Sequence, residues 1–187
     1  MLSSHRPEIG EGASGDTFAA VAIVLSGAAV DPSVLFIERA TRAGDPWSGH
    51  MAFPGGRVDD DDESIRFTAE RETLEEVGLD LSSAECLGRL DDQGGRRAGA
   101  ASGVLIASFV YHLESPGALL PNHEVEEAMW VRFSDLLDPA NKVDYPYRGQ
   151  GGPFDGIVVG HPQRHIVWGL TRRILRSLLE LMGEPLP

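Results

Sequence analysis

Three glutamates in one short run constrain this chain more than any other feature. In Arg71-Glu72-Thr73-Leu74-Glu75-Glu76-Val77-Gly78-Leu79, the acids Glu72, Glu75 and Glu76 are spaced i, i+3 and i+4. On a helix that spacing brings all three to one side. A helix is predicted over Ser64 to Val77, with Gly78 as the residue just past its end. Five acids, Asp59 to Glu63, come immediately before it, where the positive end of the helix dipole favours negative charge. Like charges on one helix face repel by about 0.2–0.5 kcal/mol per pair. A surface helix would relieve this with interspersed lysines, and this turn has only Arg71. Convergent hard oxygen donors suit Mg2+ or Mn2+, with Arg71 able to fork onto one carboxylate and hold it. For an isolated Glu-x-x-Glu-Glu, a solvated acidic face is the competing reading.

The rest of the chain reads mostly as strands. Thr17 to Leu25, Val34 to Ile37 and Val104 to Leu113 are apolar and β-leaning. Leu87 to Leu90, Glu126 to Phe133 and Ile157 to Val159 are shorter strand candidates, and Ser134 to Leu137 is a helical turn. Residues 40–49, 91–102 and 138–156 are expected to be loops, the last a long surface loop rich in Pro, Gly, Asp and Tyr. Pro54-Gly55-Gly56 marks a sharp turn. Gln163 to Met182 reads as a closing amphipathic helix with Ile166, Leu170, Ile174, Leu178 and Leu181 on one stripe. Mixed strands with two main helices predict an α/β or α+β fold with helices against a mixed sheet. The organisation expected is a flexible N-terminal segment, 1–16, and a single domain, 17–187.

A net charge of −13 argues against a general nucleic-acid binder. An acidic protein that handles polyanions needs a local correction, which a bound divalent cation supplies. Cys86 is the single cysteine, so no internal disulfide is expected. No run of about 18 apolar residues is present to span a membrane, and no signal peptide is recognised at the start. The cytoplasm is the expected compartment.

The array around the glutamates resembles the Nudix box, a glycine and an acid followed by Arg-Glu-U-x-Glu-Glu-x-Gly-U, where U is a bulky aliphatic. Arg71, Glu72, Glu75, Glu76, Gly78 and Leu79 match, and Thr73 replaces the first aliphatic. Upstream, the box has five residues between its glycine and first acid, then seven before the arginine. Counting forward from Gly56 lands on Asp62; counting back from Arg71 lands on Glu63. Relatives of the coenzyme A group are similar in having an Asp and one extra residue, which favours Asp62. Gly49-His50-Met51-Ala52-Phe53-Pro54-Gly55-Gly56 looks like the ending of the motif typical of coenzyme A diphosphatases, and Leu35 to Ala40 like its opening. Ile166 to Thr171 with Ile174-Leu175 is similar to the final helix of that group. Asp45 stands where the motif has an arginine, with Arg42 three residues upstream.

The resemblance implies a Nudix-type α/β/α sandwich with a mixed β-sheet and a C-terminal helix. It also implies a metal-dependent pyrophosphohydrolase acting on a nucleoside-diphosphate compound, with coenzyme A or a derivative as the first choice. The cofactor implied is Mg2+ or Mn2+, held by Glu72, Glu75, Glu76 and the Gly56 carbonyl. Glu75 and Glu76, with Arg71, belong to the catalytic set, and Glu124 is a candidate base outside the box, with Glu126 the second choice. Arg39, Arg42 and His50 are candidate substrate contacts. Trp47 and Tyr147 are loop aromatics that could stack on a base, whereas Trp130 and Trp168 are expected in the core. Pairing into a homodimer is common in such proteins. Other readings are a Nudix hydrolase of ADP-ribose, NADH or a nucleoside triphosphate, and a non-catalytic nucleotide-binding module.

Overall fold

The computed structural model describes residues 4–11, 16–45, 47–95, 103–147 and 153–186. Two ten-residue strands, β1 (Thr17–Ser26) and β7 (Val104–Leu113), pair in parallel along their full length. Around them lie β2 (Ser33–Arg39), β3 (Met51–Ala52), β4 (Gly55–Arg57), β5 (Glu85–Arg89), β6 (Gln93–Gly95) and β8 (Val125–Arg132), all in antiparallel contacts. The main path runs β3-β2-β1-β7-β5, with β4 on β1, β6 on β7 and β8 on β2. A second, antiparallel sheet follows the order β11-β10-β9, from β9 (Lys142–Tyr145), β10 (Phe154–Val158) and β11 (Ile166–Trp168).

Both faces of the large sheet are covered, giving the α/β sandwich with its mixed sheet and C-terminal helix. Along β2 the side chains alternate: Leu35 and Ile37 join the cluster under α1 (Ile65–Val77), while Val34 and Phe36 join the cluster under α3 (Gly169–Met182). The α1 side is lined by small residues, Ala20, Ala22, Ala69 and Ala107, which bring helix and sheet backbones close. Ile174, Leu175, Leu178 and Leu179 of α3 fill the other side, together with Ile157 and Val167 of the small sheet.

The expected 64–77 helix is present. Ser64 Oγ accepts from Phe67 N at 3.1 Å, and Gly78 closes the helix in the left-handed conformation (φ 72°) with its N–H on Leu74 O. The five acids lie before this cap, not within the first turn. Other expectations need correction. Residues 138–156 are not one long loop: a 3-10 turn (Pro139–Asn141), β9 and the start of β10 occupy them, and 148–152 lie outside the described residues. The closing helix starts at Gly169, not Gln163, because Ile166–Trp168 pairs with β10 as β11. In the expected 91–102 loop, residues 93–95 form β6 and 96–102 lie outside the described residues. The Gly55–Gly56 turn is itself part of β4. Short α2 (Phe133–Leu137) takes up the expected helical turn.

Of the N-terminal segment, residues 1–3 and 12–15 lie outside the described residues. His5 Nε2 sits 2.9 Å from Asp91 Oδ1, and the Glu8 and Gly10 amides donate to Asp91 and Asp92.

Candidate functional site

The site is assembled where β4 crosses the glutamate face of α1. Gly55 has φ 151°, and a Cβ there would run into Ala20 O and lie 2.6 Å from Val21 Cα. Only glycine lets β4 come this close to β1. The approach aims the Gly55 N–H at Glu76 Oε2, 2.9 Å away. At Gly56 a Cβ would collide with the Glu72 carboxylate, so Glu72 is seated directly over the Gly56 backbone.

Glu76 is 3% exposed. Burial pushes its carboxyl up to about 8; the charges of Glu72 and Glu124 add to the rise, while the Gly55 N–H and the Arg39 charge oppose it. Glu72 is raised as well, first by burial, with Arg71 opposing and Glu75 and Glu124 adding. Glu72, Glu76 and Glu124 therefore feel one another's charge, and Glu75, about half exposed, stands at the rim. A divalent cation relieves this kind of strain: hard oxygens, close together, with too little positive charge. The residues present fit such an ion, with Glu72 and Glu76 as carboxylate donors and the Gly56 backbone beside them.

Arg71 organises the entrance. It donates from Nε and Nη2 to Asp62 (2.9 and 3.1 Å) and from Nη1 to Glu72 (2.9 Å), with Glu75 at 3.5 Å. Asp62 also accepts from Thr68 Oγ1 at 2.7 Å and from the Asp59 amide at 3.0 Å. The Arg71 guanidinium holds the Asp62 carboxyl well below the usual carboxylate range. Asp62 is thus the acid that meets the arginine, while Glu63 is exposed.

Glu124 arrives from far along the chain. The Leu120 and Asn122 amides bond Val77 O and Glu76 O at the end of α1, and Asn122 Oδ1 accepts from the Glu124 amide at 2.7 Å. Glu124 O accepts from Ala40 N, and its carboxylate pairs with Arg42 at 2.9 Å. Glu126 is exposed on β8. Arg39 pairs with Asp45 at 3.3 Å, and its Nε is buried without a hydrogen-bond partner. His50 lies in a group of aromatic rings with Trp47, Tyr147 and Trp168. Both expected core tryptophans are half-buried: Trp130 packs against the α1-side core, and Trp168 sits in the ring group.

A second polar cluster escaped the sequence reading. Glu38 and Glu127 face each other across β2 and β8, and Arg164 and His165 from the β10–β11 turn close over them. Ligand atoms of Glu38, Glu127 and His165 lie within 4.8 Å of one another. The His161 amide donates to His165 Nδ1 at 2.9 Å, so the neutral ring carries its proton on Nε2 and presents a donor to the acids, not a lone pair. Arg164 already pairs with Glu38. This arrangement offsets two like charges placed opposite each other and fastens the small sheet to the large one. Glu38 shares the β2 face of Phe36, the α3 side, away from Glu76. The only signal in the sequence was the run His161-Pro162-Gln163-Arg164-His165.

The NUDIX domain model matches residues 16–148. The chain belongs to the Nudix family. This Nudix hydrolase, which acts on pyrophosphate bonds, is 34% identical over 154 residues to the mitochondrial coenzyme A diphosphatase NUDT8 of Mus musculus, covering 81% of this chain and 71% of that one. The Homo sapiens protein of the same name is 33% identical over 171 residues, with 88% and 69% covered. An uncharacterized Schizosaccharomyces pombe protein is 45% identical over 112 residues, and that match spans 58% of this chain and 34% of its relative. Among solved structures, a MutT/nudix family protein from Enterococcus faecalis superposes with TM-score 0.58 at 18% identity, covering 96% of this chain and 66% of that one. The NUDIX domain of Shewanella oneidensis NrtR, solved with ADP ribose, gives TM-score 0.52 at 20% identity over 66% and 77%. These two likenesses concern the fold.

Arg71→Lys in this Nudix hydrolase keeps the charge but cannot fork onto Asp62 and Glu72 together. The metal concentration for half-maximal activity is expected to rise about 10- to 100-fold, the usual cost of losing a group that orients a ligand. A magnesium titration of initial rates measures it, and an unchanged midpoint would remove Arg71 from that role.

Proposed function

We propose that this Nudix hydrolase cleaves the diphosphate of coenzyme A or a derivative, with Mg2+ or Mn2+ held by Glu72, Glu76 and the Gly56 carbonyl and with Glu75 at the rim. The observation that carries the metal assignment is the seating of Glu72 and Glu76 on the Gly55–Gly56 backbone. The substrate assignment is supported by the Gly49–Gly56 motif and by the named activity of the mouse and human relatives. Divalent ions bound there would neutralise phosphoryl oxygens and lower the pKa of bound water.

The chain's own groups do the rest. Arg71 holds Glu72 and Asp62 in place. Glu124, fixed by Asn122 and paired with Arg42, is the base that takes a proton from the attacking water. The new P–O bond forms as the bond from that phosphorus to the bridging oxygen breaks, and that oxygen leaves with its electron pair on the other half of the substrate. Arg39, whose side chain is partly exposed and whose charge is felt at Glu76, is the cation that meets a phosphoryl oxygen. No described helix is long and apolar enough to cross a membrane. The cytoplasm remains the compartment expected from the cysteine content, while the mouse and human relatives are named mitochondrial.

The test is a panel of coenzyme A, ADP-ribose, NADH, dinucleoside polyphosphates and 8-oxo-dGTP with Mg2+ or Mn2+. Coenzyme A is expected to give the highest kcat/KM, with two phosphomonoesters as products. A higher value for another member would overturn the substrate, and no turnover of any would overturn the hydrolase.

A further inference from the structure

The small sheet has one face in the core and one turned away from it. Ile157 and Val167 point inward. The alternate positions carry Tyr145 and Phe154, which are register partners, and Trp168, which is opposite Gly156. The outward face of an antiparallel sheet is ordinarily polar; here it is aromatic. With no side chain at Gly156 between them, Tyr145 and Phe154 reach the Trp168 ring, at centroid distances of 4.9 and 5.3 Å. Tyr147 and His50 complete the group at 4.6 and 5.0 Å from Trp168. The rings around Trp168 are tilted by 38–68°, and none lies flat against it. Trp47 is 47% exposed and Phe154 39%.

A short stretch of chain joins this aromatic face to the turn that seats the carboxylates. His50 stands at the head of the segment that ends in Gly55, so the two are at most roughly 17 Å apart along the chain. The Arg39 backbone bonds both Gly49 and His50, and the Arg39 charge is felt at Glu76. Between rings and acids, then, stands an arginine with one buried donor unmet. An aromatic surface, a cation and a carboxylate cage in that order match the order of base, phosphate and metal in a metal-bound nucleoside diphosphate.

We propose that the outward face of the small sheet, centred on Trp168 with His50 and Tyr147, is the platform on which the base of the substrate stacks. The proposal rests on the hydrolase reading above for what the site does with the nucleotide, but not for whether the base binds. Stacking on aromatic side chains tolerates any base because each has a π-face, so affinity comes from the rings and selectivity from elsewhere.

The test separates the two readings. In a Trp130→Phe background without metal, adenosine 5'-monophosphate is expected to quench tryptophan emission, and ribose 5-phosphate is not. Trp168→Leu and Tyr147→Leu are each expected to weaken the nucleotide's binding by about tenfold or more. With the best substrate of the panel, the same variants are expected to raise KM by about tenfold or more while kcat stays within about threefold. Tyr147→Leu carries the expectation if Trp168→Leu does not fold. Equal nucleotide affinity in parent and variants, or an unchanged KM in an enzyme that turns over, would overturn the platform. Quenching without turnover would support the platform and overturn the hydrolase.

Discussion

The Glu76→Gln protein is expected to lose about three orders of magnitude in kcat, the several kcal/mol that a metal contributes at a phosphoryl centre. It is also expected, without metal at pH 8, to melt above the parent. The second result follows from burial. In the folded protein the Glu76 carboxyl is raised to about 8 from an ordinary value near 4.5, so the folded state holds a proton that the unfolded state has released. Stability then falls as pH rises from about 4.5 toward 8 and levels off above. Glutamine is neutral throughout and still accepts the Gly55 N–H. The gain is expected to be a few kcal/mol at most, or a rise of about 4–10 °C in Tm for a chain of this size. It should vanish at about pH 3.5, a unit below the ordinary value, where Glu76 is protonated in both states. Calorimetry in a chelating buffer at both pH values checks this. A variant that melts lower than the parent at pH 8, or keeps kcat within about tenfold, would show that Glu76 is not the buried ligand described.

Gly55→Ala is expected to be the most damaging small substitution outside the acids. Its Cβ has nowhere to go: the Ala20 carbonyl and the Val21 Cα occupy the space, and φ is 151°. Conformational strain of about 1–3 kcal/mol adds to a clash that separates β4 from β1. We expect a loss of about 3 kcal/mol or more, seen as a Tm fall of roughly 6–12 °C. Activity should drop further than stability, because the same shift withdraws the Gly55 N–H from Glu76. Gly44→Ala is the control. Gly44 also has a positive φ, but nothing lies within 4 Å of its Cβ position, so it is expected to cost about 1 kcal/mol. Equal Tm shifts in the two variants would refute the argument from contact.

What could be seen in the sequence was what local chemistry decides. The α1 helix has its cap at Ser64, its stop at Gly78 and its acids at helical spacing, so both its bounds and its functional face were legible. Strands β1 and β7 are long apolar runs and read as strands without help. Of the small sheet only β10 was legible, in Ile157 to Val159; β9 lay in a Pro-, Gly- and Asp-rich stretch and β11 continued a helical repeat. Residues 166–168 were drawn into the closing helix because Ile166, Leu170, Ile174 and Leu178 repeat every four residues, although only the last three are helical. Trp168 was therefore read as core, and the aromatic face went unseen. Counting could not separate Asp62 from Glu63, since an insertion leaves spacing ambiguous; the fork of Arg71 onto Asp62 is a tertiary contact. Glu124 reaches the glutamates only through backbone bonds made across some 45 residues of chain, which no local pattern records.

Those backbone bonds have a consequence for how the site moves. The loop holding Glu124 supplies the N–H groups that satisfy the last carbonyls of α1, Glu76 O and Val77 O. To swing Glu124 away would strip two carbonyls at the helix end of their donors. The proposed base is therefore tied to the helix that carries Glu72 and Glu76, and the two move as one part.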